Sequence, residues 1–378
     1  MKKVVIACML LTCVLLTCVL LSSCTKMKND TSTYYTREHI EPENTQSTVV
    51  NGIDSYDKLR EAVEDVISKV QTDVSLVVVN YEGELQTDLD ILAHYITDVY
   101  PLGIYGVSSV IFKANFIASY CEVETKIVYS RPYDEIRGVT RVMSIDEMDE
   151  VLCTMIKSRD LHRAFIFNGF NIQPDVIESY FAKAWLESSY YAYGIKDVDF
   201  TWYPSAESQS CIVDVNINLT DDILEVEDTV KKTMSAADMI ASDCASVKNE
   251  EKVRFVLSWL QRNVYYDKNA SDAFSDLRGD MPKTAHYTAS GALLNGSAAQ
   301  SGITLATSAL LSELDVKNQV VIGKRNGSSY MWLYITYAGE KVFLDPCDIY
   351  SMPFDSCMVN IDAVDIEYSW DQKMYNLK

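Results

Sequence analysis

Histidine is scarce in this chain, and the sequence lacks the common motifs for metals and phosphates. The 378 residues include 4 histidines, which limits any chemistry that needs an imidazole. There is neither a Cys-x-x-Cys nor a His-Glu-x-x-His motif, so the sequence implies no metal site. The Gly-x-x-x-x-Gly-Lys-[Ser/Thr] loop that cradles phosphates is also absent. We therefore expect neither a metal nor a cofactor.

Positive charge is also in short supply. Lysine and arginine total 33 against 54 aspartates and glutamates, which gives a formal net charge of −21. A field of this sign repels a phosphate backbone, so we expect no nucleic-acid partner. Hydrophobic residues make up 48% of the chain and charged residues 23%, which is the balance of a protein with buried cores. The length accommodates two or three domains.

The chain begins with a basic segment followed by an apolar one. Lys2-Lys3 precedes an apolar run over residues 4–21, and polar residues return after Leu21-Ser22-Ser23-Cys24. This order is typical of a secretory signal, and the tetrapeptide resembles the lipobox of bacterial lipoproteins, whose cysteine carries a diacylglyceryl group. We predict a signal peptide over residues 1–24, a membrane anchor on lipidated Cys24 and an extracytoplasmic location. An uncleaved membrane anchor over residues 4–21 is the alternative.

The segment after the predicted signal has the composition of a linker. Residues 25–54 are rich in Thr, Ser, Asn and Glu and contain few apolar residues. Such a segment buries too little surface to order itself. We predict a flexible tether that holds the folded part of the protein away from the membrane.

Residues 55–131 and 144–219 share one pattern. Each begins with an amphipathic helix, whose apolar positions recur at helical spacing. These positions are Leu59, Ala62, Val63, Val66 and Ile67 in the first stretch, and Met148, Val151, Leu152, Met155 and Ile156 in the second. A strand, a second helix and two strands follow in each, so we predict two tandem α-β-α-β-β repeat units of an α+β fold. His94 and His162 stand alone within them, which is typical of structural or solvated histidines.

The pattern changes from about residue 236. A helix over Glu251–Asn263 leads into Val264-Tyr265-Tyr266-Asp267, and Gly296-Ser-Ala-Ala-Gln300-Ser-Gly302 later opens a long helix. Strands follow that contain Tyr330-Met331-Trp332 and end at Asp345. This order resembles the transglutaminase-like superfamily, whose bacterial members have a papain-like α+β core. The resemblance implies a transglutaminase-like α+β domain over residues 236–378.

The resemblance also implies where a Cys-His-Asp triad would lie. The family's cysteine stands in a Gly-x-Ala-x-Cys-x-Gly frame, where this chain has Gln300, and its histidine begins His-Ala-Trp, where this chain has Tyr330. An amide is not a nucleophile, and a phenol with an ordinary pKa of about 10 is a poor base at neutral pH. Asp345 keeps the family's residue type but has no imidazole to orient, so we expect it to hydrogen-bond locally. We predict that no catalytic triad is intact.

Nearby side chains offer no obvious substitute for the triad. Ser301 is one residue from the framed position, about 100° around the helix, and has no base. His286 precedes the long helix without a partner in view, so we expect a structural or solvent-facing role. Cys347 and Cys357 could pair as a disulfide in an exported protein, or could remain buried free thiols. The sequence leaves both possibilities open.

These observations favour a membrane-anchored surface lipoprotein with a catalytically inactive transglutaminase-like domain. Such a protein would bind a peptide, a cell-wall ligand or a partner protein. The alternative is an exported cysteine-peptidase-like or transglutaminase-like enzyme that uses an unrecognised nucleophile. A solute-binding lipoprotein is a third interpretation, disfavoured because such proteins repeat βαβ crossovers, whereas each unit here ends in two consecutive strands.

Overall fold

The computed structural model describes residues 48–168, 172–205, 210–244, 246–270, 285–361, 367–375 and 377. Cys24, the predicted signal peptide and most of the predicted tether lie outside the described residues. From Ser47 onward the chain forms one compact unit, and its fold is α+β, as predicted. Within the described ranges, no helix has both the length and the apolar character needed to cross a membrane.

The first sheet has four strands. Its region contains, in chain order, β1 (Thr48–Ile53), α1 (Tyr56–Ser68), β2 (Asp73–Val78), α2 (Leu85–Asp98), α3 (Pro101–Gly106), β3 (Val107–Ile117) and β4 (Tyr120–Tyr129). The strand order is β1-β2-β4-β3, with β1 parallel to β2 and the other neighbours antiparallel. Helix α1 buries Leu59, Val63, Val66 and Ile67, which are on the apolar stripe that the periodicity predicts.

Strand β1 corrects the predicted tether. The tether prediction covers residues 25–54, but residues 48–53 form a strand that pairs in parallel with β2. Ile53 is buried in the first core, so the end of this segment is held by both backbone pairing and packing. The strand is short and contains Asn51-Gly52, a pair typical of turns, which hides it in the sequence.

The second sheet also has four strands. Its region contains α4 (Tyr133–Arg137), β5 (Thr140–Val142), α5 (Ile145–Ser158), β6 (His162–Asn168), α6 (Pro174–Glu187), β7 (Ile195–Tyr203) and β8 (Ser210–Leu219). The strand order is β5-β6-β8-β7, with β5 parallel to β6 and the other neighbours antiparallel. The two sheets thus have the same order and pairing directions. The duplication and the domain limits 55–131, 144–219 and 236–378 stay predictions.

A charged cluster lies where the two sheets meet. Arg131, just after β4, places Nη2 2.9 Å from Asp214 Oδ2 on β8 and donates to the Tyr203 hydroxyl at 2.9 Å. The other carboxylate oxygen of Asp214 is 2.5 Å from His162 Nε2. Asp214 is buried, so its charge is balanced by the guanidinium and the imidazole. His162 therefore has a structural partner.

A group of helices follows the second sheet. It contains α7 (Ile223–Ser242), α8 (Asn249–Asn263), β9 (Tyr265–Tyr266), α9 (Ala289–Asn295), β10 (Ser297–Ala298) and α10 (Gln300–Glu313). Helix α7 runs through residue 236, where the sequence predicts the third domain to begin. The Thr233 hydroxyl on α7 lies 2.9 Å from that of Ser290 on α9. At the end of α10, Lys252 donates to the Leu314 carbonyl at 2.7 Å.

A five-stranded antiparallel sheet completes the fold. Its strands are β11 (Asn318–Arg325), β12 (Ser328–Tyr337), β13 (Glu340–Leu344), β14 (Met358–Asn360) and β15 (Tyr368–Trp370), in the order β14-β13-β12-β11-β15. Asn326-Gly327 and Ala338-Gly339 connect β11 to β12 and β12 to β13, and all four residues have positive φ. Two central residues of positive φ define the type I′ turn that suits a two-residue hairpin.

Three hydrophobic cores stabilise these layers. One lies against the first sheet. A larger one runs without interruption from the second sheet through α7, α8, α9 and α10 to the five-stranded sheet. The third lies on the opposite face of that sheet and contains Val321, Trp332, Phe343, Tyr368, Tyr375 and Leu377. The second sheet and the C-terminal layers therefore share one core.

Candidate functional site

The predicted nucleophile position lies at the start of the central helix. Helix α10 begins at Gln300, one residue after the end of β10, and the N–H of the intervening Ala299 donates to the His286 carbonyl at 2.9 Å. A Cβ on Gly302 would lie 2.6 Å from the His286 carbonyl oxygen and 2.9 Å from the Ala298 Cβ. Both distances are too short for a side chain, so the retained Gly and Ala residues are explained by close packing at this position.

Gln300 is a buried structural bridge. Its side-chain Nε2 donates to the Met331 carbonyl on β12 and, at 3.2 Å, to the Thr304 hydroxyl. The residue is only 4% exposed. Its amide therefore ties the first turn of α10 to the strand that carries Tyr330, and the side chain is not presented to a substrate.

Tyr330 and Asp345 meet, as the resemblance to a triad requires. The Tyr330 hydroxyl donates to Asp345 Oδ1 at 3.3 Å, and the Cys347 backbone N–H donates to the same oxygen at 3.0 Å. Asp345 follows β13 and is 1% exposed. The local hydrogen bond expected for Asp345 is therefore present. Burial, followed by the charge of Cys347 and then of Asp345, raises the pKa of Tyr330 far above its usual value, so the phenol acts as a donor and not as a base.

Arg325 takes part in the site where the sequence suggested no cation. At the end of β11, its Nη1 lies 2.6 Å from Asp345 Oδ2. Its two terminal nitrogens each lie 3.0 Å from one oxygen of Asp348, and its Nε lies 2.5 Å from Glu367 Oε1. The guanidinium carbon is also 5.5 Å from the centroid of the Tyr330 ring. We call Arg325, Tyr330, Asp345, Asp348 and Glu367 the Arg325 network.

Burial and charge act in opposite directions on Asp345. Burial and the neighbouring Asp348 raise the pKa of Asp345 to about 7, although Arg325, the Cys347 N–H and the Tyr330 hydroxyl all favour the ionised form. Burial would lower the pKa of Arg325, but the hydrogen bond to Asp348 and the charge of Asp345 raise it above its usual value. Because Arg325 also makes two contacts with Asp348, its guanidinium stays in place whether Asp345 is protonated or ionised.

Cys347, two residues after Asp345, also lies beside the predicted nucleophile position at Gln300. Its Sγ is 3.8 Å from the Gln300 carbonyl oxygen, and the nearby Tyr266 and Tyr330 side chains favour the ionised form of the thiol. Burial, and next the charge of Asp345, raises the pKa of this thiol well above its usual value. A thiol that stays protonated is a weak nucleophile. Cys347 is therefore a packed core thiol at the edge of the site.

The other candidate residues show no arrangement of a nucleophile with a base. The Ser301 hydroxyl donates to the Tyr287 carbonyl at 2.9 Å. His286 Nε2 is 3.3 Å from Asp267 Oδ2, but the two are not aligned for a hydrogen bond. Cys347 and Cys357 are both free and buried, which favours the second of the two possibilities left open by the sequence. Among the residues that the structure describes, no group of three or more His, Cys, Asp or Glu side chains is arranged so that it could hold a metal ion.

Gln300 donates to the residue after Tyr330, and Tyr330 donates to Asp345, so the three predicted positions are linked through β12. The sequence did not indicate the residues that hold them. Arg325 and Cys347 were not recognised as neighbours of these positions. A partial signal existed for Asp348, because Asp345 and Asp348 flank one short turn and so place two carboxylates close together. Two neighbouring carboxylates that are buried need a cation to balance their charge, but the sequence does not show that this cation comes from β11.

Comparisons with known proteins return distant matches only. No family model matches the chain, and no curated protein matches it. Among solved structures, it is similar to one described as a TGase, with 12% identity and a TM-score of 0.26 over 56% of this chain and 59% of that chain. A candidate cysteine protease from Cytophaga hutchinsonii has 11% identity and a TM-score of 0.24, over 48% of this chain and 69% of that chain. A candidate protease from Parabacteroides distasonis has 9% identity and a TM-score of 0.22, over 72% of this chain and 39% of that chain. At these TM-scores the similarities assign neither a fold nor an activity to this chain.

Proposed function

We propose that this chain is an extracytoplasmic lipoprotein whose transglutaminase-like domain, residues 236–378, binds a ligand without acyl-transfer chemistry. The observation that supports it is the closed set of contacts at the triad positions. Gln300 is bound to the Met331 carbonyl, and Asp345 is held by Arg325 and Tyr330. The ligand classes are a peptide, a cell-wall fragment or a partner protein.

The chemistry of acyl transfer supports the inactive assignment. A thiol enzyme needs a deprotonated sulfur beside an imidazole. The thiol that contacts Gln300 is Cys347, which burial keeps protonated. In the described part of the chain, each histidine lies beside an aspartate: His94 beside Asp98, His162 beside Asp214 and His286 beside Asp267. The enzyme alternative therefore needs a nucleophile other than those at the site.

Three half-buried aromatic residues belong to segments that contact α10 or the residues just before it. The rings of Tyr266 and Tyr350 pack with centroids 5.3 Å apart, and strand pairing places Tyr266 opposite Ala298, just before α10. Tyr287 accepts the Ser301 hydroxyl at its carbonyl. Aromatic side chains give a large contact area at low entropic cost. We call Tyr266, Tyr287 and Tyr350 the aromatic rim and propose that the ligand contacts it.

Activity assays on the purified chain from Thr25 onward separate the inactive and enzymatic assignments. We expect no peptide hydrolysis and no incorporation of a labelled amine into glutamine-containing peptides above the buffer rate, with or without prior alkylation of the thiols. Turnover that alkylation abolishes would establish the enzyme alternative. Turnover that resists alkylation but is lost in Gln300→Ala would also contradict the proposal.

A binding titration tests the aromatic rim. The probes are soluble peptidoglycan fragments and a fluorescent peptide library, added to the chain from Thr25 onward. We expect Tyr287→Ala to weaken binding by about tenfold or more, since one desolvated aromatic anchor often carries that much affinity. The matched control is Tyr265→Ala, because Tyr265 is exposed and its side chain points to the other side of β9 from that of Tyr266. Equal affinities for both variants would refute the assigned surface.

Metabolic labelling with a radioactive fatty acid tests the anchor. We expect label and membrane association in a bacterial host, and loss of both in Cys24→Ser. Membrane association without label in the unaltered protein would instead establish the uncleaved anchor over residues 4–21.

A further inference from the structure

Strand β3 forms an exposed sheet edge with a single charged residue, Lys113. Among the described residues it pairs with β4 alone, so one row of its backbone N–H and C=O groups has no strand partner. Three of its large apolar side chains are exposed: Ile111 at 57%, Phe116 at 76% and Ile117 at 44%. An edge of this kind is a template for pairing with another strand, and soluble proteins usually protect it with charges, prolines or a cover.

The second sheet shows the same edge in a protected form. Strand β7 has the corresponding place in the strand order, and both edge strands have a bulge after their first residue. Counted from the bulge, Ile111 of β3 corresponds to Asp199 of β7, which is also exposed. Strand β7 ends just before Pro204, whereas β3 continues to Ile117. Edge β7 thus carries an aspartate at the place of Ile111 and ends at a proline, which β3 does not.

We propose that β3 pairs in antiparallel fashion with β3 of a second copy of this chain, around a two-fold axis at Ala114. The four-stranded first sheets of the two copies then form one continuous sheet. In this register Ala114 faces its own equivalent, Ile111 faces Ile117, and Phe112 faces Phe116. Each heterotypic pair occurs twice, as a two-fold interface requires. Apolar and aromatic cross-strand pairs of this kind stabilise antiparallel sheets.

The charges on β3 favour this occupant. Lys113 is the one charged residue of the strand, and in the proposed register it faces Asn115 of the second copy, so no like charges stand opposite each other. The Glu124 carboxylate lies 3.2 Å from Lys113 Nζ and 2.9 Å from Asn115 Nδ2. It therefore neutralises the charge of Lys113 within each copy. The overall charge of −21 repels a second copy at long range, but physiological salt screens exposed charges beyond about 8 Å.

Sedimentation equilibrium of the chain from Thr25 onward provides the first test. We expect a reversible dimer, and we expect Ile111→Asp, which introduces the residue type of Asp199, to weaken the dimer by about tenfold or more because the change occurs twice at the interface. Leu224→Asp is the matched control, since Leu224 is an exposed apolar residue of α7, and its dimer should be unchanged. Circular dichroism establishes that both variants are folded.

Thiol cross-linking provides a second test that does not depend on a destabilising change. Directly opposite residues of antiparallel strands have Cα atoms about 4.5–5.5 Å apart, which is within disulfide range. Ala114→Cys should therefore give a covalent dimer on mild oxidation. Thr201→Cys, on the corresponding edge of β7, should give none.

Three results would overturn the proposal. They are a monomer at concentrations up to roughly 100 μM, a dimer that Ile111→Asp leaves unweakened, and a dimer in which Ala114→Cys gives no cross-link. A strand-forming peptide that binds at β3 while the chain remains monomeric would assign this edge to a different protein partner.

Discussion

Replacing Asp345 by asparagine should remove a component of the pH dependence of stability. Burial and Asp348 raise the pKa of Asp345 to about 7 in the folded protein, whereas an unfolded aspartate titrates near pH 3.9. Between these two pKa values the folded state binds more protons than the unfolded state. The free energy of unfolding contributed by this group therefore falls as pH rises from about 4 to about 7, and it is constant above that range.

The size of the effect follows from the difference between the two pKa values. A difference of about 3 units corresponds to about 4 kcal/mol over the whole window. Between pH 5 and pH 7, the unaltered protein should therefore lose about 2–3 kcal/mol relative to Asp345→Asn. Urea unfolding followed by tryptophan fluorescence measures this difference, with both proteins compared at each pH. The comparison cancels the contribution of the other carboxylates.

Asp355→Asn serves as the control, because Asp355 is a well-exposed carboxylate of the same region. It should leave the slope with pH unchanged. If the unaltered protein instead gained stability over Asp345→Asn as pH rises from 4 to 7, then Arg325, the Cys347 N–H and the Tyr330 hydroxyl would outweigh burial. Asp345 would then be an ionised partner of Arg325 at neutral pH, and our account of its protonation would be wrong.

Three further predictions concern the same layers. Arg325→Met should lower the free energy of unfolding by about 2–3 kcal/mol, as measured by urea unfolding. The control Arg254→Met removes an exposed guanidinium and should cost less than about 1 kcal/mol. Equal losses would refute the structural role of the Arg325 network. The hydrogen bond to Asp214 raises the pKa of His162. The contribution of His162 to the free energy of unfolding is therefore complete below about pH 6.5 and is lost as pH rises through the raised pKa. His162→Gln should remove this loss of stability, and the control His94→Gln, at an exposed histidine, should not. Thiol titration of the chain from Thr25 onward should find six free thiols after denaturation but slow or no reaction in the native protein, whereas four would reveal a disulfide.

Local patterns in the sequence predicted much of the fold. The apolar stripe of α1 and the start of α10 near Gln300 depend on spacing along the chain, which the sequence displays directly. Strands β11 and β12 include apolar segments that the sequence predicts as strands, although the Asn326-Gly327 turn between them was not part of that prediction. Each of these features is set by neighbouring residues, so a single sequence is sufficient to find them.

The missed elements depend on partners that are distant in the sequence. Strands β1 and β5 are short, and each is held by parallel pairing with a strand beyond the next helix. Helix α7 spans residue 236, where the sequence predicts the third domain to begin, and the sequence did not predict this helix. Patterns of apolar spacing report which face of an element is buried, and they do not report which element covers it.

The same limit applies to the candidate site. The sequence identified Gln300, Tyr330 and Asp345 through a resemblance, and these residues do lie together. It could not show that Arg325 balances the carboxylates, because Glu367 and Asp345 reach this cation from different segments. Nor could it show that the turn after Asp345 returns the Cys347 thiol to the Gln300 carbonyl. Such contacts arise from tertiary packing alone.

Helix α7 has a consequence for how this protein can be divided. A fragment beginning at residue 236 would start inside the helix and would discard Val226. This side chain packs so closely on Gly194 that a Cβ added to the glycine would lie 2.5 Å from the Val226 Cγ1. Excision there would also expose apolar surface that the second sheet and α10 now bury jointly. The C-terminal portion should therefore be produced, truncated or exchanged between proteins only together with the rest of the compact unit, from Ser47 onward.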